Sequence, residues 1–274
     1  MKADLHVHTT ASDGTATSEE IMKEAQRIGL AAVGITDHDN MDEIIPAGRK
    51  AGRYQVEIVP GIEFSTEWQD KEIHILGYYL DFSEKWFQEK LQKLQTARFT
   101  RAESIVAKLN ILGFTISFKR VLALAGNGSI GRPHIAQALI EKGYVRSVEE
   151  AFTRLIGRGA LAYVPRVKVT PEEAVGIILN AGGVPVIAHV GVPPADDLIK
   201  TLVLRGLKGL EVYYPEHDQM TVNHYLKIAA RYHLIVTGGS DFHGFNQDRA
   251  SLGTCQVDYG VVQELKRLRI KKEG

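Results

Sequence analysis

Short apolar runs alternate with amphipathic stretches along most of this chain. Residues 31–36, 56–59, 73–79, 185–190, 209–213 and 234–237 are compact apolar runs bounded by polar residues, and they predict strands. Between them lie helical patterns. Thr17 followed by Glu20 is a capping box. Ile21, Met22, Ala25 and Ile28 then share one face, and Gly29 closes the helix. Thr170, with Pro171 at the first helical position and Glu172 and Glu173 in the first turn, opens a second helix. Ala174, Ile177, Ile178 and Ala181 continue it, and Gly182 and Gly183 stop it. Strand–helix alternation at this spacing predicts βα units and a largely parallel sheet.

The rhythm breaks between residues 84 and 165, where no strand pattern occurs. Residues 86–112 read as one long helix with an imperfect apolar stripe of Phe87, Leu91, Leu94, Phe99, Ile105 and Leu109. Further helical pieces fall at 119–125, 133–142 and 147–156. The expected organisation is an α/β barrel or open sheet built from residues 1–84 and 166–274, carrying a helical insertion at 85–165. Residues 271–274 (KKEG) read as a solvated tail.

Composition narrows the function. Lys+Arg and Asp+Glu both number 33, so the formal net charge is zero, which argues against a chain built to coat long nucleic acid or an anionic membrane. The single cysteine, Cys255, excludes an internal disulfide framework, and a reducing cytoplasm is the expected setting. The opening MKADLHVHTT has no apolar core, so no signal peptide is expected, and no run reaches the length of a membrane span. Ten histidines beside one cysteine point to imidazole and carboxylate as the ligands of any bound metal.

These residues gather at the predicted strand ends, where parallel α/β folds place chemistry. His6 and His8 are two apart and face the same way on a strand, with Asp13 in the next loop. Asp37 and His38 end the run at 31–36. Glu63 follows the run at 56–59 through Pro60 and Gly61. His74 lies inside 73–79, and His189 ends 185–190. Glu211 is in 209–213, and Asp241 and His243 follow 234–237. A lone strand-end histidine is ordinarily a hydrogen-bonded structural residue. Five or six such ends together are explained at once by a multinuclear metal site. His224 and His233 read as surface or packing residues, and His217, just past a strand, as a residue near the site.

The motifs resemble the PHP (polymerase and histidinol phosphatase) family over most of the chain. They are D-L-H-x-H-T at 4–9 with Asp13, T-D-H at 36–38, G-x-E at 61–63 with His74, A-H at 188–189, and S-D-x-H at 240–243. The resemblance implies a distorted (β/α)7 barrel and two or three divalent ions, Mn2+, Zn2+, Fe2+ or Mg2+. At matching positions it implies one ion on His6, His8, Glu63 and Asp241. Glu63 would bridge to a second on His74 and His189, and a third would lie on Asp13, His38 and His243. Val190 stands where the family usually has proline. The insertion resembles stand-alone members that act on nucleoside 3′,5′-bisphosphates and the 5′ ends of short RNA, through Gly131-Arg132-Pro133-His134.

The chemistry expected of such a site is hydrolysis of a phosphoester by a metal-bridging hydroxide. Arg132 and His134, at a helix N-terminus, would clamp a substrate phosphate. The glycine-rich run 126–131 is a second candidate anion cradle, and Arg158 and Arg166 are weaker ones. Asp37 would orient a ligand or accept a proton. His189 and His217 are candidates for the general acid only where metal does not claim them. The expected partner is a small nucleotide or short RNA, with no membrane and no obligate protein partner. A histidinol-phosphate phosphatase and a non-catalytic metal-binding module are the competing readings.

Overall fold

A computed structural model describes residues 1–166, 169–194, 196–245 and 250–269. The tail at 271–274 lies outside them. Eight strands form one sheet: β1 (Lys2–Val7), β2 (Leu30–Ile35), β3 (Glu57–Trp68), β4 (Lys71–Tyr78), β5 (Val184–Ile187), β6 (Gly209–Tyr213), β7 (Ile235–Gly238) and β8 (Val257–Asp258). Their order is β7-β6-β5-β4-β3-β2-β1-β8. Just past β7, Phe242 bridges Val7 in parallel, and its carbonyl accepts the His8 N–H at 2.9 Å. The sheet thereby curls into a nearly closed barrel, with helices α1 (Ser18–Ile28), α2 (Ile44–Tyr54), α7 (Pro171–Asn180), α8 (Asp196–Leu204), α9 (Gln219–Tyr232) and α10 (Tyr259–Leu268) around it. The α/β barrel matches the expected fold class.

The sheet is less parallel than strand–helix alternation implies. β4 runs antiparallel to both β3 and β5. The cause is local: Gln69 and Asp70 both take positive φ (46° and 64°), the geometry of a tight two-residue hairpin, so no helix separates β3 from β4. A Gln-Asp pair is a weak turn signal beside Asn-Gly, which hides the hairpin in the sequence. β3 also continues through Pro60 and Gly61. Glu63 therefore lies within a 12-residue strand, paired with Leu76, and not beyond a short one.

The two capped helices form as the pattern predicts. Thr17 with Glu20, and Thr170 with Glu173, make complete capping boxes, and Gly29 closes α1 at φ 77°. α2 escapes the sequence reading because Pro46, Gly48 and Gly52 interrupt its apolar pattern.

The insertion begins with α3 (Lys85–Ile111), followed by α4 (Phe118–Ala125), α5 (Arg132–Glu141), α6 (Val148–Ala151) and one π-helical turn at Phe152–Ile156. The stripe on α3 is imperfect for a structural reason. Phe87 and Leu91 are buried with barrel residues such as Phe64 and Ile75, whereas Ala102, Ile105, Val106 and Leu109 pack with Val121, Ile135, Leu139 and Leu155 of the insertion. The helix changes partner along its length, and Phe99 between the two sets is 42% exposed. Among the described residues, no helix is long and apolar enough to cross a membrane.

One close approach fixes the strand that carries the histidines. A Cβ added at Gly239 would sit 2.4 Å from His6 Cβ and from His6 N, the latter backbone. Gly239→Ala should therefore lower unfolding free energy by about 1–3 kcal/mol, read as the shift in urea midpoint. An unchanged midpoint would remove this constraint on β1.

Candidate metal centre

β1 is buried throughout its last five residues, so His6, and His8 just beyond it, enter the interior with their rings fully covered. Glu63 on β3 meets them. Its Oε2 lies 3.4 Å from His6 Nε2, 3.2 Å from His8 Nε2 and 3.1 Å from His38 Nδ1. Its Oε1 lies 2.8 Å from His74 Nδ1 and 3.4 Å from His189 Nε2. Asp241 Oδ1 lies 3.4 Å from His6 Nε2 and 3.2 Å from His8 Nε2. Asp13 Oδ1 is 3.4 Å from His243 Nε2, and its Oδ2 is 4.0 Å from His38 Nε2. Among the described residues, three overlapping donor groups result: His6, His8 and Asp241; His38, Glu63 and His74; and His8, Asp13, His38 and His243. Eight of the nine residues expected as ligands fall in these groups, and the ninth, His189, places Nε2 3.4 Å from Glu63 Oε1 and 3.3 Å from His74 Nδ1. His38 stands between two groups, facing Glu63 as well as Asp13.

This donor set fits divalent metal. Asp13 Oδ1 and Asp241 Oδ1 are buried and make no hydrogen bond, an expensive state that a cation would relieve. Imidazole and carboxylate without thiolate suit borderline to hard ions. The electrostatics agree. Burial opposes charge on Glu63, Asp13 and Asp241, yet neighbouring histidines hold all three carboxyls well below the usual range. Burial likewise opposes charge on His8 and His74, yet the carboxylates push them up to about 10 and about 9. Ionised carboxylates and imidazoles thus hold one another's charge, and a cation would take the place of the ring protons.

Further groups hold these side chains in place. Both oxygens of buried Glu211 accept from His6 Nδ1, at 3.1 and 3.0 Å, and Oε2 also accepts the His189 backbone N–H at 2.7 Å. This fixes the His6 tautomer and supports His189 at its strained φ of 28°. Tyr214 donates to Asp241 Oδ2 at 3.3 Å, leaving Oδ1 toward the histidines. Asp4 accepts from Ser240 N (2.9 Å), Ser240 Oγ (2.6 Å) and Gly253 N (2.8 Å), anchoring the loop before Asp241.

Several sequence expectations are corrected here. Asp37 reaches the His8 ring through Ser12, whose Oγ lies 3.3 Å from His8 Nδ1. Its carboxylate accepts from Thr9 N (2.8 Å), Thr9 Oγ1 (2.7 Å) and Ser12 Oγ (2.5 Å), and so shapes the loop between His8 and Asp13. His217 is withdrawn from acid catalysis, since Nδ1 donates to Val212 O at 2.8 Å and Nε2 accepts the Gly191 N–H at 3.2 Å. His189 donates from Nδ1 to Val192 O at 3.1 Å and turns Nε2 to Glu63, the disposition of a ligand. The 126–131 run is no anion cradle. Its Gly126, Gly128, Ser129 and Gly131 N–H groups bond Leu122, Ala125 and Ala11 carbonyls and His134 Nδ1. His134 is thus a buried helix-capping residue on that side, not an open clamp. His224 pairs with Asp196 at 2.5 Å on the surface, and His233 caps α9.

Beside these expected ligands opens a cavity of about 260 Å3. Asp13, His38, Glu63, His74, His189, Asp241 and His243 line it together with four arginines, Arg98, Arg101, Arg132 and Arg166. Arg132 pairs with Glu72 at 2.6 Å and stacks over Phe152 at 4.8 Å. Arg98 pairs with Asp39 at 2.6 Å and donates to Ser65 Oγ at 2.9 Å, tying α3 to the His38 loop. Arg166 Nη1 is buried without a hydrogen-bond partner. Burial, then Arg132 and Arg166, press the Arg101 pKa down, a sign of crowded positive charge. Arg158 pairs with Glu67 and Asp70 and lines a neighbouring pocket with Arg101, Arg132 and Arg166. Arg98, Arg101 and Glu72 escape the sequence reading. The one available signal is that Arg98 and Arg101 are three apart and share a helical face.

Comparison with known proteins agrees with this geometry. The PHP domain model matches residues 4–162. The 5′-3′ exoribonuclease Rnm of Escherichia coli is 33% identical over 254 residues, covering 88% of this chain and 84% of the relative. The 3′,5′-nucleoside bisphosphate phosphatase of Chromobacterium violaceum is 30% identical over 259 residues, covering 91% and 90%. A solved structure from Bifidobacterium adolescentis, described provisionally as a metal-dependent phosphoesterase, superposes with a TM-score of 0.92 at 30% identity, covering 98% and 96%. The chain therefore belongs to the PHP domain family and is a metal-dependent phosphoester hydrolase.

Proposed function

We propose that this hydrolase cleaves a phosphoester beside a terminal 5′-phosphate, releasing the 3′-phosphate of nucleoside 3′,5′-bisphosphates and acting on the 5′ ends of short RNA. The observation that carries this reading is that Arg98, Arg101, Arg132 and Arg166 line the same cavity as the expected metal ligands. Both substrates carry a 5′-phosphate next to the bond cleaved, so one site serves both. Arg132 and Arg166 offer forked donors to that phosphate, and Arg98 and Arg101 add positive charge. Ala102, Ile105, Ile130, Ile135 and Phe152 supply an apolar stretch of the same cavity, which suits a nucleoside and favours it over histidinol phosphate. The neutral chain supports short substrates, since long RNA needs an extended basic track.

His6, His8, Asp13, His38, Glu63, His74, His189, Asp241 and His243 would hold the ions. When bound, divalent ions lower the pKa of water and offset charge on the phosphoryl oxygens. The chain's own contribution is placement. Glu211 and Tyr214 aim His6 and Asp241, and Asp37 shapes the loop carrying Asp13. The arginines align the substrate so that water attacks in line, the bond from phosphorus to the 3′ oxygen breaks, and that oxygen takes up a proton. A small nucleotide or short RNA is the partner this reading requires.

Two measurements check it. Phosphate release is compared for adenosine 3′,5′-bisphosphate, histidinol phosphate and a 5′-phosphorylated short RNA, on protein whose metal content is known from elemental analysis. Turnover of the first and third is expected, and activity on histidinol phosphate alone would overturn the reading. Chelation followed by Mn2+ at one hundred times its dissociation constant should raise stability by about 2.7 kcal/mol per site, seen as a higher melting temperature. A melting temperature indifferent to Mn2+ would count against the cluster as a metal site.

A further inference from the structure

Glu72 lies on β4 two residues before His74, so both side chains leave the same face of the strand. Among the described residues, it is the carboxylate lining the cavity that contacts both the arginines and His74. Its Oε2 accepts from Arg132 Nη2 at 2.6 Å. Its Oε1 lies 3.4 Å from Arg166 Nη2 and 3.4 Å from His74 Nε2. On the other side of the same imidazole, His74 Nδ1 faces Glu63 Oε1 at 2.8 Å. His74 is therefore held between two carboxylates. With Nε2–H donating to Glu72, Nδ1 keeps the lone pair a cation requires. The arginine pair also has more donors than Glu72 satisfies, since Arg166 Nη1 is buried and unpartnered.

We propose that Glu72 is a positioning residue that links the phosphate clamp to the metal cluster. It occupies Arg132 and Arg166 in the absence of substrate, and it orients His74. A phosphate group entering the cavity competes with Glu72 for the same two guanidinium groups. Arg132 stays in place during this exchange because it also rests on the Phe152 ring. Glu72 released from the arginines remains within reach of His74, so occupation of the clamp strengthens the hold on a metal ligand. This inference rests on the clamp reading above.

The two roles predict changes of opposite sign in Glu72→Gln, which keeps the shape and removes the charge. Adenosine 5′-monophosphate should bind the chelator-treated full-length variant about tenfold more tightly than wild type, because an internal competitor is gone. Mn2+ should bind the variant about tenfold more weakly, because His74 loses its anionic partner. Both affinities are read by titration calorimetry without substrate turnover. A merely structural role would weaken both together, so parallel changes, or no change in either, would overturn the proposal. Glu72→Asp, which keeps the charge one methylene further back, should shift both affinities in the same opposite directions by less, and serves if the glutamine variant does not fold. Failure of the clamp reading is seen separately: nucleotide binding by wild type that survives Arg132→Ala would refute the clamp without any change at Glu72.

Discussion

Glu63→Gln is expected to lower phosphoester hydrolysis by about 10³-fold, roughly 4 kcal/mol of barrier, and to strip most bound metal from the protein. Glu63 is the residue whose two oxygens reach separate donor groups, one toward His6, His8 and His38 and the other toward His74 and His189. An amide offers one acceptor oxygen and carries no charge. It would leave one of these groups without its anionic member and end the bridging of the two. The fold should survive, because the backbone of Glu63 stays paired with Leu76 in the β3–β4 ladder and Gln matches Glu in volume. Elemental analysis and circular dichroism check the two halves together. Full metal content with undiminished activity would remove Glu63 from the centre of the site.

Arg132→Ala is the second large effect. It should reduce kcat/KM for adenosine 3′,5′-bisphosphate by about 10²-fold, roughly 2.7 kcal/mol, with metal content unchanged. Arg132 touches Glu72 and Phe152 and none of the nine expected metal ligands, so its loss acts on the substrate and leaves the ions in place. The effect should fall on substrates with a 5′-phosphate. Adenosine 3′-monophosphate, which has none, should be turned over by wild type and variant at similar rates. Loss of metal from the variant would mean that Arg132 supports the cluster and does not serve substrate.

The metal centre was far more legible in the sequence than the arginine cluster, for a physical reason. Metal ligands in a parallel α/β fold sit at strand ends, and strand ends are visible as the close of short apolar runs. H-x-H at 6–8 and D-x-H at 241–243 also declare a shared face or a shared loop. The arginines carry no such mark. Arg98 and Arg101 lie on a 27-residue helix whose polar positions read as solvated, and they meet Arg132 and Arg166 only after the insertion folds back over the barrel. Glu72 precedes His74 near the start of β4 and reads as an exposed polar residue. The corrections share one cause as well. The sequence positions of Asp37, His217 and His134 point to the right neighbourhood, but a position does not reveal which backbone groups a side chain will satisfy. Each of the three spends hydrogen-bonding capacity on backbone N–H or C=O groups of nearby loops. The antiparallel β4 was hidden for a similar reason, since the Gln69–Asp70 turn depends on two positive φ angles that this dipeptide does not advertise.

The central claim is that one cavity unites a metal-dependent hydrolytic site with a clamp for a terminal phosphate. It is tested most directly by the ratio of kcat/KM for adenosine 3′,5′-bisphosphate to that for adenosine 3′-monophosphate, measured with Mn2+ restored to chelated protein. A preference of about 10²-fold for the bisphosphate is expected, absent without metal and abolished by Arg132→Ala. Equal turnover of the two nucleotides, or hydrolysis that persists after complete chelation, would contradict it.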